Sequence, residues 1–143
     1  MIKDAFIILG IAAAASLISA FVHPKRPAWY SVENTSDLRW SLSVDQAKEM
    51  SKSADSILWI DARLRSDYAK GSIDDAILLN TDEWADLMFK HQNTLQDTGG
   101  KPIIVYCDGA DCDKSKVVAN RLRDLIGLES VFVLKGDWRE ISN

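Results

Sequence analysis

The chain has 143 residues, with 17 Lys and Arg against 21 Asp and Glu and a formal net charge of −4. Setting aside Lys3, Asp4, Lys25 and Arg26 leaves 14 basic and 20 acidic residues beyond residue 26, which excludes the basic face a nucleic-acid binder needs. Two cysteines are too few for a disulfide scaffold, and with two distant histidines too few for a zinc site, so neither metal nor cofactor is expected.

Residues 5–22 (AFIILGIAAAASLISAFV) form an uncharged run of 18. As a helix rising ~1.5 Å per residue it spans ~27 Å, enough to cross a bilayer core. Trp29 and Tyr30 follow, as interfacial aromatics do. A cleaved signal peptide fits less well, because the best small-residue site would end at Ala20 with bulky Ile18 two positions before it. Residues 1–26 are therefore expected to be a single membrane anchor with short flanks, whose partner is the lipid bilayer through 5–22. The Lys/Arg count, with Lys25 and Arg26 after the span, points the following domain to the cytoplasmic rather than the periplasmic side by a single residue. Residues 27–38, rich in Pro, Asn and Ser, read as a linker, and 39–143 as one domain large enough for a sizeable core.

Within that domain strand and helix patterns alternate. Residues 39–42 alternate like a strand, and Ser43 with Gln46 makes a capping box for a helix over 44–52. Residues 56–61 (SILWID) read as a buried strand ending on Asp61. Residues 66–70 predict at most one helical turn closed by Gly71, and 76–79 a third strand. Asn80 or Thr81 caps a helix running to about His91, with Trp84, Leu87 and Met88 on one face. A strand over 103–106 leads to Cys107, and a helix over 115–126 follows, with Val118, Leu122, Leu125 and Ile126 as its apolar stripe and Gly127 as its stop. A fifth strand occupies 130–134. The pattern predicts an α/β fold: a parallel five-stranded sheet flanked by helices and preceded by one transmembrane helix. Trp40, Trp59 and Trp84 are expected in the core, and Asp74-Asp75 in a solvated turn.

Functional groups in such sheets gather at the carboxyl ends of strands, where Asp61 and Cys107 both stand. Cys107 is delivered by a buried strand to a loop at the mouth of a helix. Backbone N–H groups and the helix dipole there stabilise a thiolate. Asp108, Asp111 and Asp113 work against it: a carboxylate ~7 Å away at an effective dielectric of ~40 opposes the anion by roughly 1 kcal/mol. If they face outward, and Asp113 only caps the helix, the thiol keeps its reactivity. A Cys–His hydrolase would need His91, far from Cys107 in sequence. A phosphatase-type loop would need an arginine, and 107–115 contains none.

Three motifs in order carry a resemblance. Asp61-Ala62-Arg63 with Tyr68, Gly71, Ile73, Ala76 and Asn80, then Val105-Tyr106-Cys107 with Ser115, Ala119 and Leu122, then Val133-Leu134-Lys135-Gly136 with Trp138, resemble the signatures of rhodanese-like domains. An amino-terminal span before one such domain is similar to an arrangement found in bacteria. The resemblance implies sulfur transfer through a persulfide, with Cys107 as nucleophile and carrier. It implies an anion cradle from the N–H groups of Asp108, Gly109, Ala110, Asp111, Cys112 and Asp113, with Ser115 at the helix mouth, and a bracing role for Asp61 and Arg63. The sequence departs from the family's Cys-x4-Arg-Ser loop: Cys112 stands in the arginine's place and the serine lies two residues later. Gly-His-Ile-x-Gly-Ala becomes Gly71-Ser72-Ile73-Asp74-Asp75-Ala76, and Gly-Gly-Trp becomes Gly136-Asp137-Trp138.

The expected function is a membrane-anchored sulfurtransferase that uses Cys107 and serves thiosulfate or a protein thiol. Two alternatives stand beside it. One is a weakly active or inactive interaction module of a membrane assembly, with a membrane protein as partner. The other is a thiol–disulfide redox protein in which Cys112 resolves an oxidised Cys107, a bridge that requires Cα atoms within about 7 Å. Between filler and redox partner, the reading favours Cys112 as a small residue filling the loop.

Overall fold

The computed structural model describes residues 38–54, 56–109 and 112–141. The expected anchor, 5–22, lies outside these residues. Among the described residues no helix is long and apolar enough to cross a membrane.

Five strands, β1 (Ser41–Ser43), β2 (Leu58–Asp61), β3 (Ile77–Leu78), β4 (Ile103–Tyr106) and β5 (Val131–Lys135), form one sheet in the order β1-β5-β4-β2-β3. Every pairing is parallel, including Ile60 against Val105 and Val105 against Val133. Four helices connect them: α1 (Val44–Ser53), α2 (Arg65–Tyr68), α3 (Trp84–Gln96) and α4 (Asp113–Ile126), and a 3-10 turn, Trp138–Glu140, closes the chain. β4 is central and buried at all four residues, so Cys107 leaves the middle of the sheet.

Alternation along the strands divides the core into two layers. Ile60, Val105, Val131 and Val133 pack with Leu87 and Leu95 of α3 and Val118 and Leu122 of α4. On the other face Trp59, Ile104, Tyr106 and Leu134 pack with Ala47 of α1 and Trp138. Each fully buried Leu, Ile or Val contributes roughly 1.5–3 kcal/mol relative to exposure, so this double layer dominates the stability of the sheet.

Local chemistry explains the helix starts. The Ser43 hydroxyl accepts from the Gln46 N–H at 3.2 Å, and the Gln46 side chain accepts from the Ser43 N–H at 2.9 Å, completing the expected capping box. Asn80 Oδ1 instead caps a turn, accepting from the N–H groups of Asp82 (3.1 Å) and Glu83 (2.8 Å). α3 therefore begins later than predicted, at Trp84, and runs on to Gln96 to bury Leu95.

Two expectations are corrected. In α4 the buried face is Ser115, Val118, Ala119 and Leu122, while Leu125 is 69% and Ile126 42% exposed. Gly127, at φ +77°, reverses the chain, so that Leu128 donates to the Leu122 carbonyl and packs on the core where Leu125 was expected. Of the tryptophans, Trp59 is buried and half-buried Trp84 packs against the core, with Arg121 over its ring at 5.1 Å, whereas Trp40 is half-buried beneath the Arg123 guanidinium at 5.0 Å. Asp74 and Asp75 are exposed, as a solvated turn requires.

Candidate active site

Sequence places Cys107 directly after the last residue of β4, and the fold sets it beside the start of α4. The cysteine is 3% exposed and belongs to the core layer shared with α4. Its Sγ lies 3.5 Å from the Ser115 hydroxyl, which donates to the Cys112 carbonyl at 2.9 Å. Ser115 is itself 1% exposed, because it opens the buried stripe of α4. One hydroxyl thus touches the thiol position and ties down the far end of its loop.

Cys107 and Cys112 are joined by a disulfide, with Cα atoms 6.3 Å apart. Cys112 is therefore not the loop filler the sequence favoured. Its placement has a local cause: α4 begins two residues earlier than expected, at Asp113, which makes Cys112 the N-cap residue in extended conformation. Asp113 is consequently not the cap. It lies in the first turn, where a carboxylate complements the dipole, 89% exposed and 3.5 Å from Lys116. Gly109 adopts φ +98°, a conformation that side-chain-bearing residues avoid. Ala110 and Asp111, the middle of the proposed cradle, lie outside the described residues.

Asp108 is held by partners outside the loop. Its Oδ1 accepts from Trp138 Nε1 at 3.3 Å and lies 3.5 Å from Arg63 and 3.6 Å from Arg139. Two of the three loop carboxylates, Asp108 and Asp113, thus have cationic partners.

Asp61 and Arg63 form a buried ion pair at the end of β2. Asp61 is 0% and Arg63 6% exposed. Arg63 Nε lies 3.0 Å from both Asp61 oxygens, and a terminal nitrogen reaches Oδ2 at 2.6 Å. Arg63 also donates to the Gly71 carbonyl at 2.6 Å, and its guanidinium lies 4.5 Å over the Trp138 ring. Burial disfavours the Arg63 charge, but the hydrogen bonds and charge of Asp61, with Asp108 behind, raise its pKa further above the ordinary arginine value. A permanent cation therefore joins the β2 end, the 71 turn and the Cys107 loop. Asn80 completes the frame by donating to the Arg63 carbonyl at 3.2 Å.

Tyr106 has no exposed surface, and its hydroxyl accepts from the Ile73 N–H at 3.1 Å. Burial pushes its phenol far above the usual range, and the nearby Asp61 charge adds to this. It is a structural clamp rather than an acid or base. His91 is half-buried on α3, with a pKa lowered by burial and by Lys90.

A cleft of about 260 Å³ opens beside the loop, lined by Arg63, Asp67, Lys70, Asp108, Trp138 and Arg139. Arg139 has no counterpart in the sequence reading. Its only signal is the Asp137-Trp138-Arg139 run, in which the Asp137 carboxylate caps the 3-10 turn by accepting from the Arg139 N–H at 3.0 Å. Nothing in that run connects it to Asp108, 31 residues earlier. Among the described residues no His, Cys, Asp or Glu cluster could hold a metal ion.

A family model described as Rhodanese-like domain matches residues 43–143. In fold the chain is similar to the crystal structure of the BH2092 protein from Bacillus halodurans, at 22% identity with a TM-score of 0.57, over 76% of this chain and 77% of that one. No curated protein matches the sequence.

Proposed function

Because the chain belongs to the rhodanese-like domain family, we propose that it is a membrane-anchored sulfurtransferase that carries sulfane sulfur as a persulfide on Cys107. The observation that carries this reading is the setting of that sulfur. It lies at the end of the central strand, against Ser115 and the start of α4, while the Asp108 and Asp113 carboxylates are drawn off by Arg63, Arg139 and Lys116. A thiolate freed from the disulfide has a hydroxyl within reach, and the Asp108 and Asp113 carboxylates have cations of their own to pair with. In the loading step it attacks the sulfane atom of a donor. The donor's S–S bond breaks, a Cys107 Sγ–S bond forms, and sulfite or a sulfinate leaves with the bonding pair. Asp61 and Arg63 hold the loop and do not touch the reacting atoms.

The test is a single turnover by the reduced full chain with thiosulfate or benzenethiosulfonate, measuring sulfite or benzenesulfinate. One equivalent per chain is expected, and none from Cys107→Ser. Release that persists in that variant, or no release by the reduced wild type, refutes the reading.

The anchor at 5–22 and a cytoplasmic domain are part of the proposal. They predict that the full chain sediments with membranes and resists carbonate extraction, whereas a chain lacking 1–26 does not. The alternative, a non-catalytic module docking on a membrane protein, draws on the 3% exposure of Cys107. It requires that Cys107→Ser leave cellular phenotypes intact while loss of the anchor does not.

A further inference from the structure

We propose that Cys112 is the resolving residue of the site, and that the domain discharges its sulfane sulfur as hydrosulfide while closing the Cys107–Cys112 disulfide. This rests on Cys107 carrying the persulfide. The two Cα atoms stand 6.3 Å apart, inside the range a disulfide spans, so the loop brings the sulfurs together without displacing β4 or α4. Ser115 enforces that closeness by holding the Cys112 carbonyl at 2.9 Å while its hydroxyl lies 3.5 Å from Cys107 Sγ.

The two thiols occupy unlike surroundings. Cys107 is 3% exposed in the disulfide-bonded state and sits within the core layer. Cys112 is half-buried at the N-cap of α4, and no side-chain hydrogen bond caps that end. The free N–H groups and the dipole there favour a thiolate, which is the attacking form in exchange. An attacker within the same short loop also acts at a high effective concentration.

The step balances as thiol–disulfide exchange. The Cys112 thiol first gives its proton to solvent. Its thiolate attacks Cys107 Sγ, and the bond from Sγ to the sulfane atom breaks as the Sγ–Sγ bond forms. The sulfane sulfur leaves with the bonding pair as hydrosulfide, reduced by two electrons, and the cysteine pair is oxidised by two. An external dithiol, by two further exchanges, restores both thiols and departs as its own disulfide. The discharge step ends in the same Cys107–Cys112 pairing that the structure holds. The partner implied is a dithiol reductant, which meets the half-buried Cys112 more readily than Cys107.

The full chain, reduced and freed of reductant, is mixed with benzenethiosulfonate, a donor containing no hydrosulfide. Hydrosulfide is trapped with a bimane, and the intact mass is recorded. Wild type is expected to release one equivalent of hydrosulfide and finish as the disulfide. Cys112→Ser is expected to keep one added sulfur atom on Cys107 and to lose the hydrosulfide burst; its loading shows that it is folded. If wild type and Cys112→Ser retain the persulfide equally, the resolving role is overturned and the carrier role stands. If Cys112→Ser takes up no sulfur while wild type also releases no sulfinate, the carrier role falls and the inference with it.

Discussion

Replacing Arg63 with alanine tests the physical account of the brace most directly. The substitution strands Asp61, which has no solvent exposure, after removing guanidinium contacts at 3.0, 3.0 and 2.6 Å. The Gly71 carbonyl loses its 2.6 Å donor, and Trp138 loses the cation above its ring. Breaking a buried pair from one side costs about 3–5 kcal/mol, because the remaining buried charge keeps only the backbone N–H of residue 63, at 2.9 Å, as a donor in place of the guanidinium. The lost cation–π contact adds up to ~1 kcal/mol, so about 4 kcal/mol is expected after partial relaxation. Against a domain stability of about 5–15 kcal/mol this is a large fraction, and at ~4 °C per kcal/mol for a domain of this size it lowers Tm by about 15 °C. Urea unfolding followed by tryptophan fluorescence should show the midpoint falling at unchanged m. The double variant Asp61→Leu with Arg63→Met removes both charges and should cost less than half as much, since no charge is left stranded. A loss below about 1 kcal/mol in Arg63→Ala would show that the pair is wet and refute the reasoning.

Tyr106 supplies a pH-dependent prediction. Its phenol pKa is raised in the folded state above the unfolded value near 10, so the stabilisation is fully present below pH ~10 and is lost as pH rises beyond it. Absorbance at ~295 nm should show one tyrosinate appearing only with unfolding, and Tyr106→Phe should abolish that component. Gly136→Ala should destabilise by about 1–3 kcal/mol in chemical denaturation, because a Cβ there would meet Val44 Cγ2 at 2.6 Å on a backbone with φ +134°. Leu122→Ala should cost about 2–5 kcal/mol and Leu125→Ala less than ~0.5; equal losses would contradict the observed face of α4.

The strands and their parallel order were legible because buried runs such as Ile103–Tyr106 and Leu58–Asp61 have few other uses in a chain with this punctuation. Helix ends were less so. Asn80 carries a cap signature, yet its carboxamide serves a turn ahead of α3, and sequence cannot distinguish the two uses of one acceptor. Periodicity named Leu125 as core because it continues the spacing from Val118 and Leu122. It could not register that the chain reverses at Gly127 and lets Leu128 occupy the space. At the site, Cys107 and Asp61 stood out because each ends an apolar strand, whereas Ser115 and Arg63 were named only through the resemblance. The pairing of the loop charges was not legible, because it depends on Arg139 and Trp138, which only the fold brings to Asp108. The Cys107–Cys112 bond depended on where α4 begins, and a shift of two residues turned a filler into a partner.

The shortness of the two outer strands bears on how this molecule keeps company. β1 offers three residues and β3 two at the margins of the sheet, too little backbone for another chain to lay a strand alongside. Copies of the domain therefore have no ribbon to zip together along these margins, and strand addition is a poor route for any visitor. Cys107 leaves β4 at the rim where the strands end, a surface separate from these two margins.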